Sequence, residues 1–205
     1  MPNWVFCTTS IEGPEEDMTR FLKAAKTGRR FINQEISYED WGSFTDLQLE
    51  VLMEEAHNLQ TAESQNLFSF HSLYPVPLAV QVMPYDPAVM REFVEKNPVI
   101  RAFCEKHKSD SSGYEWECNN WGVKWGDCHT EILGMKDNYL SLYFETPWSA
   151  PHKFWKKVSK DYPTLSIKME YREEMEHFAG EAFYQAGQMY YDEWEPEKEE
   201  MEEDD

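Results

Sequence analysis

One short segment, residues 117–127, constrains the fold of this chain more than any other part of it. It carries two indoles, Trp121 and Trp125, and a glycine follows each of them. A tryptophan side chain is too large to leave in water, and its N–H needs a partner once it is buried. Because glycine allows the backbone to turn sharply, the segment predicts a specific packing site for both rings. We expect that site on the strand around residues 140–143.

Tryptophan recurs in three short motifs whose order along the chain is informative. The motifs are Met1-Pro2-Asn3-Trp4-Val5, Asn120-Trp121-Gly122-Val123-Lys124-Trp125 and Phe144-Glu145-Thr146-Pro147-Trp148-Ser149-Ala150-Pro151. Together they resemble the YubB-like family of phage and plasmid accessory proteins. This resemblance implies a ferredoxin-like domain and a mobile genetic element as the setting, and it supplies no catalytic residues. The residues that carry it are Asn3, Trp4, Asn120, Trp121, Gly122, Lys124, Trp125 and Trp148.

The pattern along the chain predicts an α+β fold, with an antiparallel ferredoxin-like sheet, two packing helices and helical insertions. We expect a single domain over residues 1–191, with insertions at about 29–66 and 84–112. We also expect Trp4, Trp121, Trp125 and Trp148 to lie together near one edge of the core. The predicted strands are Trp4–Ile11, Leu67–Tyr74, Leu140–Tyr143 and Thr164–Tyr171, with further edge strands within Phe178–Tyr191; the two core helices begin at Pro14 and Pro151.

Charge is the second informative feature of the sequence. The 205 residues include 39 acidic and 19 basic side chains, which gives a net charge of -20. Repulsion from phosphate makes nucleic acids and anionic membranes poor partners for such a chain. Residues 192–205 contain ten acidic residues and one lysine, and this composition predicts a disordered tail. Aromatic residues make up 15% of the chain, which excludes disorder of the whole.

The start of the chain and its cysteines indicate the compartment. Met-Pro-Asn-Trp lacks the basic start and long apolar run of a secretion signal, and no run of eighteen apolar residues occurs. Four cysteines in such a chain do not predict a disulfide framework. We therefore expect the protein to be in the cytoplasm of a bacterial host. We also expect no cofactor.

A metal site is the sharpest local hypothesis. Its candidate ligands are Cys104, His107, Cys118 and Cys128, whose side chains are of the type that binds zinc. Zinc ribbons, however, require two close pairs of ligands, and this spacing does not provide them. Buried cysteines that pack as small apolar residues explain the pattern equally simply, so we assign no metal.

Residues suited to catalysis or to nucleic-acid binding are also present in the sequence. An acid/base pair could be assembled from the set Asp127, His129, Glu131, Glu145 and His71, although no recognised catalytic motif accompanies them. A ferredoxin-like sheet is also the scaffold of RRM domains, which stack bases on exposed aromatic side chains. The residues that could form such a face are Trp4, Phe68, Phe70, Tyr139 and Tyr143. The four lysines of the second core helix are more simply its solvated face.

Clusters of acidic residues are the basis of the function that we prefer for this chain. The clusters are Glu15, Glu16 and Asp17; Glu54 and Glu55; and Glu173 and Glu174. A surface of this kind is complementary to a basic cleft in another protein, although acidic surfaces also serve solubility. We expect a non-enzymatic phage or plasmid accessory protein that binds a basic host or anti-phage defence protein, as an acidic inhibitor or nucleic-acid mimic. A single-strand nucleic-acid binder is the second hypothesis, and a small metal-containing enzyme is the third.

Overall fold

The computed structural model describes residues 2–26, 68–81, 83–107 and 111–194. The chain forms two compact units, one of residues 1–18 with 127–205 and the other of residues 19–126. The predicted insertion at about 29–66 lies outside the described residues. Within the described part of the chain, no helix is both long and apolar enough to cross a membrane.

The helices and strands of the described residues follow one another in a simple order. They are β1 (Trp4–Glu12), α1 (Glu15–Ala25), α2 (Phe70–Leu73), α3 (Leu78–Gln81), α4 (Pro87–Lys96), α5 (Pro98–His107), α6 (Gly113–Asn120), β2 (Cys128–Lys136), β3 (Tyr139–Pro147), α7 (His152–Asp161), β4 (Ser166–Glu173), β5 (Ala179–Gln185) and β6 (Gln188–Trp194). The six strands form one antiparallel sheet in the order β2-β3-β1-β4-β5-β6.

Four of these strands form the core of the first unit. With helices α1 and α7, strands β1 to β4 give the order β-α-β-β-α-β, and their sheet order is that of a ferredoxin-like domain. Alternate residues of β1, β3 and β4 are buried, and Phe154, Trp155 and Val158 on α7 are buried with them. Helix α7 contacts β4, β5 and β6. The predicted α+β, ferredoxin-like fold is therefore confirmed, and strands β5 and β6 extend its sheet.

The prediction of a strand over Leu67–Tyr74 is wrong. Phe70–Leu73 forms one helical turn, and the Ser69 hydroxyl caps it by accepting a hydrogen bond from the backbone N–H of His71. The alternation of apolar and polar residues there instead reflects burial of Phe68 and Phe70 within the second unit. The strand that takes this place in the sheet is β2, which pairs only with β3 among the described strands.

Helices make up the described part of the second unit. Helix α4 begins at Pro87, where the Asp86 carboxylate accepts hydrogen bonds from two backbone N–H groups. Helix α6 begins with a reciprocal capping box between Ser112 and Glu115. The capping box defines the start of the helix that runs into residues 117–127, which we call the Trp/Gly segment.

The boundary of the predicted acidic tail is also corrected by the structure. Asp192, Glu193 and Trp194 belong to strand β6 and pair with Glu181, Gly180 and Ala179 of β5. Their backbone groups gain partners from the neighbouring strand, and this outweighs the acidic composition on which the prediction rested. Residues 195–205 lie outside the described residues.

Candidate interaction surface

The face of the sheet opposite helix α7 is exposed to solvent, and we call it the open face. It is formed by the alternate residues of each strand that point away from the buried core. The described side chains of the open face include Trp4, Phe6, Thr8, Glu131, Tyr143, Glu145, Lys168, Glu170, Arg172, Ala179, Glu181, Phe183 and Tyr190. Phe6 is 36% exposed, Phe183 45% and Tyr190 70%.

The register of the strands arranges these side chains in rows. One row runs from Glu145 through Phe6 and Arg172 to Ala179. The next row contains Tyr143, Thr8, Glu170 and Glu181, and the third ends with Lys168, Phe183 and Tyr190. Aromatic and charged side chains are therefore interspersed across a surface at least five strands wide.

The two basic side chains in the middle of the open face are matched by carboxylates. The Lys168 ammonium lies 2.8 Å from Glu170 and 3.0 Å from Glu181, and hydrogen bonds to these two carboxylates raise the pKa of Lys168. The Arg172 guanidinium lies 2.9 Å from Glu176. Each of these cations is thus already neutralised by a residue of the same chain.

One end of the open face holds a polar cluster beside the first tryptophan motif. The His129 ring lies 5.6 Å from the Trp4 ring, and its Nδ1 lies 2.6 Å from Oε2 of Glu145. The Tyr143 hydroxyl donates to the other carboxylate oxygen of Glu145 at 2.8 Å. Burial, followed by the hydrogen bond to Glu145, raises the pKa of Tyr143 to about 12. The structure therefore joins two of the proposed acid/base residues, His129 and Glu145.

The remaining candidates for acid/base chemistry are Asp127, Glu131 and His71. Asp127 accepts a hydrogen bond from the Thr130 hydroxyl, and Glu131 stands opposite Tyr143 on β2. His71 is buried in the second unit, where its ring packs 4.5 Å from that of Trp121. Glu131 therefore lies on the open face opposite Tyr143, which donates a hydrogen bond to Glu145.

The first and third tryptophan motifs meet at the end of the central strand. The backbone N–H of Trp148 donates to the Asn3 carbonyl at 2.8 Å. The backbone N–H of Trp4 donates to the Glu174 carboxylate at 3.1 Å, and the Glu174 N–H donates back to the Trp4 carbonyl at 2.8 Å. Residues Asn3 and Trp4 thus connect β3 with the turn after β4.

The second unit contains the Trp/Gly segment, and Trp121 is its buried anchor. The Trp121 indole N–H donates to the Tyr74 carbonyl at 2.8 Å, so its polar group is satisfied. The rings of Phe70, His71 and Trp116 surround it in edge-to-face geometry. This site accounts for the apolar character of the first half of the segment.

Trp125 has a different environment. Its backbone φ is +66°, and its backbone N–H donates to Oε2 of Glu117 at 2.7 Å. The Tyr85 hydroxyl donates to the same oxygen at 2.9 Å. The side chain of Trp125 is 43% exposed, and the Lys124 ammonium lies 3.8 Å from its ring centroid. A left-handed conformation costs a bulky residue roughly 1–2 kcal/mol, so the buried carboxylate holds a strained and exposed indole in place.

The prediction that the four tryptophans lie together near one edge of the core assumed that all of them are buried, and only Trp121 is. Trp4 is half-buried on the open face, and Trp4 and Trp148 belong to the first unit whereas Trp121 and Trp125 belong to the second. Trp148 is 48% exposed with a φ of +64°, and Trp125 is 43% exposed with a φ of +66°. Their backbone conformation turns the rings away from the core, and the sequence motifs do not encode that conformation. Sequence reasoning also missed Phe6, Phe183 and Glu117, although the alternation along β1 placed Phe6 opposite the buried residues.

The acidic clusters are divided by the structure. Glu15 and Glu16 are exposed at the start of α1, where their carboxylates interact favourably with the positive end of the helix dipole. Glu174 is also exposed. Glu173 is only 2% exposed, so its inclusion in an exposed acidic surface is wrong. Its carboxylate instead accepts hydrogen bonds from the backbone of Met175 and His177. Asp17 accepts a hydrogen bond from Thr164, and Glu54 and Glu55 lie outside the described residues.

The low-priority metal ligands do not form a cluster in the described part of the chain. Among those residues, no group of three or more His, Cys, Asp and Glu side chains could hold a metal ion. Cys104, on α5, lies 3.8 Å from the Met83 sulfur, whereas Cys118 belongs to α6 and Cys128 begins β2. The side chain of His107 lies outside the described side chains. Phe68 and Phe70, proposed for an RRM-like face, are buried in the second unit and do not belong to the sheet.

Comparison with known proteins gives two further findings. Residues 120–205 match the family model of the ferredoxin-like domain in Api92-like protein. The Api92-like match covers strands β2 to β6 and helix α7. The fold is also similar to the crystal structure of a protein api92 from Yersinia pseudotuberculosis, with a TM-score of 0.59 and 9% identity over 97% of this chain and 99% of that chain. At this identity the likeness to api92 concerns the fold alone. No curated protein matches the sequence.

Proposed function

We propose that this chain is a non-enzymatic accessory protein of a phage or plasmid that binds a basic host or anti-phage defence protein through its open face. One observation carries the proposal: the open face presents Phe6, Phe183 and Tyr190 to solvent, while Lys168 and Arg172 are paired with glutamates. Exposed aromatic side chains are typical anchors of protein interfaces. The net charge of -20 makes a basic surface the complementary partner.

The same surface favours a protein over a nucleic acid. Nucleic-acid binding depends on arginine and lysine side chains that contact phosphates. On this face Glu145, Glu170 and Glu181 stand beside the aromatic side chains, and they repel a phosphate backbone. The acidic surface is instead suited to occupy a basic cleft that would otherwise receive nucleic acid, which is the basis for the role as an inhibitor or mimic.

Capture from a bacterial lysate by the immobilised protein, compared across matched variants, tests this function. We expect specific proteins to be retained by the wild type and lost with the double variant Phe183→Ser/Tyr190→Ser. Met175→Ser is the control, because Met175 is an exposed apolar side chain in the turn after β4 rather than on the open face. The same set of proteins retained by all three forms would contradict the proposal.

A single-strand nucleic-acid binder is the competing function, since its signature would also be an aromatic sheet face. We expect no saturable binding of labelled mixed-sequence single-stranded DNA or RNA at low salt. Tight binding that weakens steeply as salt rises would overturn the proposed function. The mobile-element setting is tested separately by the genes that flank this one, which should be those of a phage or plasmid.

A further inference from the structure

A shallow depression interrupts the open face between strands β1, β4 and β5. Its volume is about 330 Å³, which lies at the lower end of the range for ligand clefts. Phe6 borders it from β1 and Glu181 from β5, on opposite sides of β4. Small residues, Thr8, Ala179 and Gly180, line the depression and leave room between those two side chains. The space is therefore large enough for one side chain of a partner.

Two glutamates stand directly opposite each other at this depression. Glu170 on β4 and Glu181 on β5 are Cα partners in the antiparallel ladder. Like charges at directly opposed positions destabilise a sheet. The single ammonium of Lys168 contacts both carboxylates, at 2.8 Å and 3.0 Å. Two negative charges thus share one positive charge, and the pair retains the capacity to bind a second cation.

The remaining charged residue of the depression does not remove that capacity. Arg172 lines the depression from β4, but its guanidinium lies 2.9 Å from Glu176 in the turn that follows. Its charge is therefore balanced by a carboxylate that does not line the depression. The carboxylates of Glu170 and Glu181 keep their excess negative charge.

Aromatic rings complete the site. Phe6 borders the depression and is 36% exposed. The face already contains a contact of the relevant kind, because the Lys168 ammonium lies 5.6 Å from the centroid of the Phe183 ring. A cation near an aromatic ring and a carboxylate gains from both.

We infer that this depression binds an arginine side chain of the partner protein, with the guanidinium on the Phe6 ring and hydrogen-bonded to Glu181 and Glu170. The inference rests on the proposed function, because it names the group by which that partner is recognised. Arginine is favoured over lysine because its planar guanidinium stacks on a ring while it donates to carboxylates in two directions. A phosphate would be repelled by the same two glutamates.

Titration of the isotope-labelled protein with two blocked tripeptides, followed by amide NMR, tests the site directly. The peptides are acetyl-Gly-Arg-Gly-amide and the same peptide with citrulline, which has nearly the shape of arginine but no charge. We expect saturable shifts at the amides of Gly180 and Glu181 with the arginine peptide. The citrulline peptide should bind about tenfold more weakly, since it loses charge-assisted hydrogen bonds. Equal binding of both peptides, or no saturable binding of either, would overturn the inference.

Matched variants locate the binding. Glu181→Gln and Phe6→Leu should each lower the affinity for the arginine peptide by about tenfold. Glu131→Gln should leave this affinity unchanged, because Glu131 lies on the open face at β2 and does not line the depression. Amide spectra of the free variants show whether each one is folded. An unchanged affinity in folded Glu181→Gln would show that the peptide binds elsewhere.

The inference and the proposed function fail in different ways. Retention of lysate proteins by the wild type and equally by Glu181→Gln and Phe6→Leu would contradict the arginine site and leave the function standing. Saturable binding of the arginine peptide without any captured protein that depends on Phe183 and Tyr190 would contradict the function and support the site.

Discussion

Among single residues, Glu117 has the most demanding environment. One of its carboxylate oxygens accepts hydrogen bonds from the Trp125 backbone and from the Tyr85 hydroxyl, and the side chain is buried. Burial raises the pKa of Glu117, although these two hydrogen bonds and the nearby Lys124 partly offset the effect. The residue stabilises the strained backbone of Trp125 at the expense of burying a charge.

Substitution of Glu117 separates the effect of its hydrogen bonds from that of its charge. Glu117→Ala leaves the Trp125 N–H and the Tyr85 hydroxyl without this acceptor, so it should lower the free energy of unfolding by about 2–4 kcal/mol. Glu117→Gln keeps one oxygen for both donors and removes the charge, so it should be at least as stable as the wild type at neutral pH. Urea denaturation of the three forms provides the comparison.

The pH dependence of the same variants has a defined sign. Because the folded-state pKa of Glu117 is raised, the folded protein binds this proton more tightly than the unfolded chain does. The stability advantage of Glu117→Gln should therefore be greatest above the folded pKa. It should diminish as the pH falls through that value and be lost below the ordinary value of 4.5. If the difference in free energy of unfolding between Glu117→Gln and the wild type widens as the pH falls, the charge of Glu117 is favourable in the folded protein.

Among structural elements, the loop of residues 121–126 requires glycine at position 126. Gly126 has a φ of +71°, and a Cβ there would lie 3.1 Å from the Trp121 ring and 3.4 Å from Phe70. Gly126→Ala should therefore lower the free energy of unfolding by about 1–2 kcal/mol from backbone strain alone. The control is Gly134→Ala in β2, where a Cβ would only touch Tyr139 at 3.8 Å. If thermal denaturation showed that the two variants lose equal stability, this explanation would be contradicted.

Strands buried on one face were predictable from the sequence, whereas the edge strand β2 was not. β1, β3 and β4 alternate buried and exposed residues because one side of each packs against the core. β2 has no fully buried residue, and it has a left-handed residue at His129 and interruptions in its register with β3. Its sequence therefore lacks a clear period of two. Residues 67–74 have that period, but their alternation comes from aromatic burial in the second unit.

The candidate site was predictable only in part for a related reason. Sequence patterns indicate which residues are apolar, and the first and third tryptophan motifs belong to a region that the fold does connect through Asn3, Trp4 and Trp148. Exposure depends on backbone dihedral angles and on neighbours distant in sequence. The left-handed conformations of Trp125 and Trp148, and the pairing of Glu170 with Glu181, follow from tertiary structure.

At the scale of the whole molecule, charge affects stability as well as partner choice. A net charge of -20 on 205 residues produces repulsion that disfavours the compact state. The described ion pairs of the sheet join exposed side chains and contribute little to offset it. Salt screens the long-range repulsion over distances of about 8–10 Å at 0.10–0.15 M.

Added salt should therefore stabilise this protein. We expect the Tm to rise by about 2–4 °C between low salt and 0.5 M NaCl, which corresponds to about 1 kcal/mol for a chain of this size. Truncation after Trp194 removes eight acidic residues and one lysine, so the net charge falls in magnitude by seven and the rise should be smaller. Scanning calorimetry of both forms measures the difference. A Tm that falls with salt in the full chain would mean that attractive ion pairs, rather than net repulsion, dominate its electrostatics.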